Sequence, residues 1–220
     1  MAEPDEARPI RGVITDWGGV MTNPIIETVM AWLAADGIDA DSYQTLMRAW
    51  VSQAYEGGPD RNPIFALERG ECTDAQFEQQ LAEQLVRLDG GAVRAEGLLT
   101  RMFAGSAFDE AMHGVIRAAR RAGLRTGLLS NSWGDIYPRH LFPELFDAVV
   151  ISAEVGMRKP EERIFRLAAE VLGLEPAQCV FIDDIRDNVA AAQAVGLVGV
   201  HHRTARDTRQ QLAGLLGMPL

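Results

Sequence analysis

CVFIDDIRDNVAAAQAVGLVGV, residues 179–200, contains two apolar runs of strand length, Val180–Ile182 and Val198–Val200. Between them, Asn188 to Val195 has helical spacing and stops at Gly196, a residue suited to the left-handed end of a helix. Parallel neighbours need a crossover long enough to bring the chain back, so strand, helix and strand in this space predict a parallel sheet. The same signature extends upstream. Val13–Thr15, Thr126–Leu129 and Ala148–Ile151 add three strands. Helical periods fall at Met112, Val115, Ile116 and Ala119, ending at Gly123, and at Ile164, Phe165, Ala168, Val171 and Leu172, ending at Gly173. The alternation predicts an α/β fold, a doubly wound, Rossmann-like parallel sheet whose ligands gather at the carboxyl ends of the strands.

The gap between Thr15 and the second strand is far longer than a crossover requires. An inserted helical cap over residues 24–104 fits it, leaving residues 1–23 and 105–220 as the core. Tyr43, Leu46, Met47, Trp50, Val51 and Ala54 form one helical stripe. Phe77, Leu81, Leu85 and Leu88 form another, behind a capping box of Thr73 and Gln76. These stripes are expected to face the insert's own core, leaving Asn23, Pro24, Arg61 and Asn62 near the hinges free to meet a ligand.

With 220 residues the chain suits one core and a modest insert, and its 47% hydrophobic content excludes wholesale disorder. A formal net charge of -10 argues against a broad grip on nucleic acid or an anionic membrane, so an anion site has to be local. No apolar run has the length of a membrane span, and Met1 to Pro9 is acidic rather than leader-like. A cytoplasmic protein with Cys72 and Cys179 as free thiols is expected.

In a parallel sheet the polar strand ends share one edge. The first run closes on Asp16-Trp17-Gly18-Gly19, the second on Ser130-Asn131-Ser132 and the fourth on Asp183-Asp184. Gly18-Gly19 let the backbone turn sharply and approach a ligand closely. After the third strand comes Gly156-Met157-Arg158-Lys159-Pro160, and Lys159 is the one lysine among 21 Lys plus Arg. A compact ammonium enters a narrow anion site that a guanidinium fork does not.

Together these residues describe a hard-cation and phosphate site. Asp16, Asp183 and Asp184 are candidate ligands of Mg2+, which takes oxygen donors, and Ser130 with the N–H groups after it, beginning at Asn131, suits phosphate oxygens. Lys159 neutralises added negative charge, and Trp17 and Trp133 flank the site, Trp17 as a candidate substrate contact or lid. Without a cation the clustered carboxylates repel one another and any phosphate, so the metal is part of the reading. Taken singly, Asp16 suits a turn, Ser130 a loop, and Asp183 and Asp184 a helix cap. At one edge they make a site. His201-His202 has no partner cluster and suits a surface or supporting role.

From about Gly12 to His202 the chain resembles the haloacid dehalogenase superfamily, with four motifs in order: Val13 to Val20, Leu128 to Asn131, Lys159 to Phe165, and Phe181 to Asp184 with Asn188. Gly156 to Phe165 and Phe181 to Asn188 look like the phosphatase-type amino-terminal domain of soluble epoxide hydrolases. The resemblance implies that Asp16 is a nucleophile forming an aspartyl phosphate and that Ser130 and Lys159 bind the phosphoryl group. It also implies that Asp184 holds Mg2+ with Asp16 and the Gly18 carbonyl, and that the substrate is a small phosphorylated molecule. One position departs from the pattern. Family phosphatases usually carry an acid/base Asp two residues after the nucleophile, where this chain has Gly18. That side chain is typically worth 10^2 to 10^4 in rate. Phosphonoacetaldehyde hydrolases have a similar loop but require a cap lysine, which this insert lacks. A 2-haloacid dehalogenase-like hydrolase and a phosphoryl-binding protein with little turnover are the alternatives. Neither the substrate nor the oligomeric state is legible in these motifs.

Overall fold

The computed structural model describes residues 10–56 and 62–220, with the side chains of residues 52–56 excepted. Met1–Pro9, Arg61 and the Ala54 side chain therefore lie outside the described residues. Five strands, β1 (Gly12–Thr15), β2 (Arg125–Ser130), β3 (Ala148–Ile151), β4 (Cys179–Asp183) and β5 (Val198–His201), form one sheet in the order β3-β2-β1-β4-β5. Every pairing is parallel, with Thr15 opposite Leu128 on one side and Ile182 on the other.

The chain starts in the middle of the sheet, builds outward through β2 and β3, then returns to place β4 on the other side of β1. The direction of winding reverses between β1 and β4, where a doubly wound sheet opens a crevice at its carboxyl edge. Asp16 follows β1 and Asp183 ends β4, so both stand at that crevice.

Alternation within each strand feeds two cores. Val13, Leu128, Val180 and Ile182 pack with Met112, Val115, Ile116 and Leu212 on one face. These helical residues belong to α6 (Glu110–Arg121) and α11 (Ala205–Leu216). Ile14, Leu129 and Phe181 pack on the other face with Phe165, Ala168 and Ala192, from α9 (Glu162–Val171) and α10 (Arg186–Ala194). Strands covered on both faces read as continuous apolar runs, which is why they are visible in the sequence.

Between β1 and α6 the described residues form five helices, α1 (Ile25–Asp36), α2 (Ala40–Glu56), α3 (Pro63–Glu68), α4 (Asp74–Gln84) and α5 (Leu98–Met102). They share a separate hydrophobic cluster that includes Trp32, Tyr43, Trp50, Phe77, Leu81 and Met102. Burial of Phe77, Leu81 and Met102 in it stabilises by about 1.5–3 kcal/mol each relative to leaving them exposed. The capping box of Thr73 and Gln76 opens α4 as expected. The insert leaves and rejoins the core through two adjacent strands of chain: Thr22 bridges Phe108, and the Asn23 and Ala107 backbones are hydrogen-bonded. The short helices α7 (Phe142–Leu145) and α8 (Ser152–Val155) flank β3.

Several expected core positions are exposed. Leu88 is 74% exposed because α4 ends at Gln84, which carries Leu88 beyond the helical stripe. Val171 and Val51 also lie at the surface, Val171 as the last residue of α9.

Candidate active site

Four segments meet at the carboxyl edge. After β1 the chain turns at once, with the Met21 N–H donating to the Trp17 carbonyl. Gly19 takes φ +74°, and a Cβ added there would lie 2.5 Å from Asp184 Oδ2. Glycine is thus required at 19 both for its backbone and for the carboxylate beside it. Of the Gly18-Gly19 pair expected to turn the backbone, Gly19 takes the positive φ and Gly18 does not.

Lys159 is the pivot of the site. Its side chain is 1% exposed, and Nζ lies 2.8 Å from Asp16 Oδ1 and 2.7 Å from Asp183 Oδ2. Asp16 Oδ1 also accepts from the Trp17 N–H at 2.7 Å. Asn131 clamps the lysine from behind: its Oδ1 accepts from the Lys159 N–H, and its Nδ2 donates to the Lys159 carbonyl. The Asn131 side chain is therefore engaged in holding Lys159. That leaves its backbone, not its amide, for a ligand.

Asp183 is fully buried. Its Oδ1 accepts from the Ile185 N–H at 2.8 Å, and Asn188 Nδ2 donates to both of its oxygens. Carboxylate oxygens of Asp16, Asp183 and Asp184 all lie within 4.8 Å of one another. Asp16 and Asp184 line the cavity described below, whereas Asp183 stands behind them. His201 Nε2 contacts the Asp184 carbonyl at 2.9 Å, a supporting contact at the end of β5, and His202 pairs with Thr208.

Electrostatics follow from this crowding. Burial raises the Asp16 carboxyl, Lys159 pulls it back, and Asp183 and Asp184 add repulsion, leaving it at about 7. Burial and then Asp183 raise Asp184 as well. Burial opposes charge on Lys159, yet Asp16 and Asp183 more than offset it and hold the ammonium above its ordinary value. Two raised carboxyls beside one lysine mark a site short of positive charge. Its oxygen donors suit a hard divalent cation, and the bare backbone of Gly19 makes room for the Asp184 carboxylate among them.

Ser130 ends β2, and its Oγ accepts from the Tyr137 hydroxyl at 2.9 Å. Tyr137 sits in the loop after β2, and nothing in its spacing pointed to the site. Trp17 contributes to the cavity wall while its ring packs among Phe108, His113, Tyr137 and Phe142, so it is a fixed wall and not a lid. Trp133 is likewise held, donating from Nε1 to Glu68 and packing on Phe77 and Phe103. The expectation that the hinge asparagines are free is corrected. Asn62 caps α3 and donates to the Trp50 carbonyl, and Asn23 bonds Thr28 and the Ala107 N–H.

Sequence reading missed a joint between insert and core. Buried Glu68, at the end of α3, pairs with Arg158 next to Lys159 and accepts from Trp133, and Arg158 also lies over the Phe65 ring. Arg69 pairs with Glu161 at 2.6 Å. No periodic signal marks residues whose partners lie about 90 positions away. Above the acidic cluster is a cavity of about 390 Å3, bounded below by Asp16, Ser130, Lys159 and Asp184 and above by the insert.

A five-stranded parallel sheet with a Lys and Asp cluster at its switch point, roofed by helices inserted after the first strand, defines a doubly wound α/β fold with a charged site at its carboxyl edge. The chain belongs to the haloacid dehalogenase-like hydrolases, whose family model matches residues 10–196. It is 36% identical to phosphatase MT3486 of Mycobacterium tuberculosis over 202 residues, 86% of this chain and 85% of that protein. It is 25% identical to pig bifunctional epoxide hydrolase 2 over 96% of this chain and 40% of that longer protein. The fold matches a family enzyme of Bacteroides thetaiotaomicron solved as a magnesium complex, with TM-score 0.68 and 22% identity over 93% of this chain and 99% of that one. Among the described residues no helix is long and apolar enough to cross a membrane.

Proposed function

We propose that this hydrolase is a Mg2+-dependent phosphatase acting on a small phosphorylated molecule through an aspartyl phosphate on Asp16. The carrying observation is the ammonium of Lys159, fixed between Asp16 and Asp183 at the floor of the cavity. The phosphatase names of relatives such as MT3486 support it. Asp16 attacks phosphorus, and Lys159, Ser130 and the N–H after Ser130 receive the phosphoryl oxygens. Tyr137 and Asn131 orient Ser130 and Lys159. Asp183 keeps Lys159 charged and aimed, a positioning role that explains why its oxygens are saturated. Asp16, Asp184 and the Gly18 carbonyl would hold Mg2+, with Asp183 behind them, and the ion would offset the charge that builds on the transferring group. The helical insert serves as a cap that closes the cavity from above. Gly18 offers no proton to the leaving oxygen, so substrates whose leaving group departs without protonation are favoured.

The test is turnover of phosphate esters, acyl phosphates and 2-haloacids with and without Mg2+, together with trapping by beryllium fluoride. Mg2+-dependent phosphate release that Asp16→Asn abolishes is expected. Metal-independent halide release would replace the reading with dehalogenation, and trapping without turnover on any phosphate would replace it with a binding role.

A further inference from the structure

Lys159 stands on a short turn that two parts of the protein hold at once. Within the core, the Glu161 N–H donates to the Arg158 carbonyl at 2.8 Å, closing a turn over Lys159-Pro160, and the Asn131 side chain grips the Lys159 backbone. From the insert, consecutive residues at the end of α3 take the two corners of that turn. Glu68 pairs with Arg158, and Arg69 pairs with Glu161 at 2.6 Å. The signs alternate on both partners, so a shifted seat would set like charges against each other. Gly70 completes the joint. Its φ is +70°, and an added Cβ would lie 2.5 Å from the Ala153 carbonyl oxygen, an approach that other residues do not allow. The side chains of Glu68 and Arg158 are only 7% and 13% exposed, so water does little to replace a lost partner.

We propose that Glu68 is a positioning residue for Lys159, acting through Arg158, so that the ammonium is aimed only while the insert is seated on the core. Asn131 fixes the lysine backbone at one point. The direction in which the side chain leaves that point depends on the turn around it, and the insert holds both corners of the turn. A loosened Arg158 corner lets the ammonium move off the line between Asp16 and Asp183, and a misplacement of ~1 Å at a reacting group can cost about 10^2-fold in rate. The kinetic consequence rests on the phosphatase reading, whereas the geometric one does not.

The test exploits Lys159 being the one lysine in the chain: lysine labelled with 15N at Nζ gives a single ammonium signal in the whole, untagged protein, and NMR reads its hydrogen-exchange rate. Glu68→Gln, Arg158→Gln and the double variant are compared with wild type. Loss of position predicts exchange about tenfold or more faster in each single variant, with the double variant within about twofold of the faster single one. Loss of an electric field alone moves the two single variants in opposite directions and cancels in the double, because Glu68 and Arg158 bear opposite charges. That pattern, or unchanged exchange, overturns the proposal. Gly70→Ala, which unseats α3 and keeps both ion-pairing side chains, is expected to speed exchange as well. Leu81→Ala weakens the core of the insert away from the joint and controls for stability, so equal speeding there also overturns the proposal. In turnover of p-nitrophenyl phosphate with Mg2+, well below each melting temperature, Glu68→Gln should lower kcat about tenfold with KM changed by less than about threefold. Wild-type kcat in that variant overturns the proposal and leaves the phosphatase reading standing. If the wild type releases phosphate from no ester while the exchange pattern holds, the phosphatase reading fails and the positioning of Lys159 stands.

Discussion

Gly18→Asp puts a carboxyl at the position where the family's acid/base normally stands, and the structure sets what that costs. Gly18 is not among the glycines with positive φ, so an L side chain meets no backbone penalty there. Its Cβ would fall 2.8 Å from Ile25 Cδ1 and 3.4 Å from Cγ1. The obstacle is the far end of one flexible side chain. Overpacking of this kind costs typically ~1–3 kcal/mol, and Ile25→Ala in the same chain removes the obstructing atoms. Against that cost stands general acid catalysis of 10^2 to 10^4, equivalent to ~3–5 kcal/mol of barrier. The double variant Gly18→Asp/Ile25→Ala should therefore gain on substrates whose leaving oxygen needs a proton and little on those that depart as stable anions. The assay is kcat/KM for alkyl and aryl phosphates compared between the double variant and Ile25→Ala alone. A gain of about 10^2 or more on short alkyl phosphates is expected, shrinking as leaving-group pKa falls. A folded, Mg2+-binding double variant with no gain on any ester would refute the reasoning, because the missing proton donor would then not be what limits the site.

Lys159→Arg should lower kcat/KM by about 10^2 or more, since a buried pocket 2.7–2.8 Å from two carboxylates has no room for the wider guanidinium; near wild-type activity would contradict this. Gly19→Ala should weaken Mg2+ binding, measured by calorimetry, because the new Cβ lands on Asp184 Oδ2 in a strained backbone. Tyr137→Phe should cost about 1 kcal/mol, a loss in kcat/KM of no more than about tenfold, by freeing Ser130 Oγ. Glu68→Ala should lower the thermal midpoint, measured by calorimetry, because the part-buried Arg158 beside Phe65 would lose its carboxylate partner.

The strands, the core helices and the insert were legible because each is an apolar run or a helical stripe, and periodicity is a local property of the chain. Asp16, Ser130, Lys159 and Asp184 were legible as well, because a parallel sheet brings every strand's carboxyl end to one edge whatever the loops between them. What periodicity does not carry is who meets whom across long separations. Asn131 reads as a phosphate-loop residue and proves to be the clamp on Lys159. Asn62 reads as a hinge residue and is a buried helix cap. Trp17 reads equally well as lid or wall until Phe108, Tyr137 and Phe142 surround it. Chain pattern alone determined the fold class and the acidic edge. Tertiary packing decided which atom each polar side chain spends its hydrogen bonds on, and which residues of the insert meet the Lys159 turn, because both depend on how the insert settles on the core.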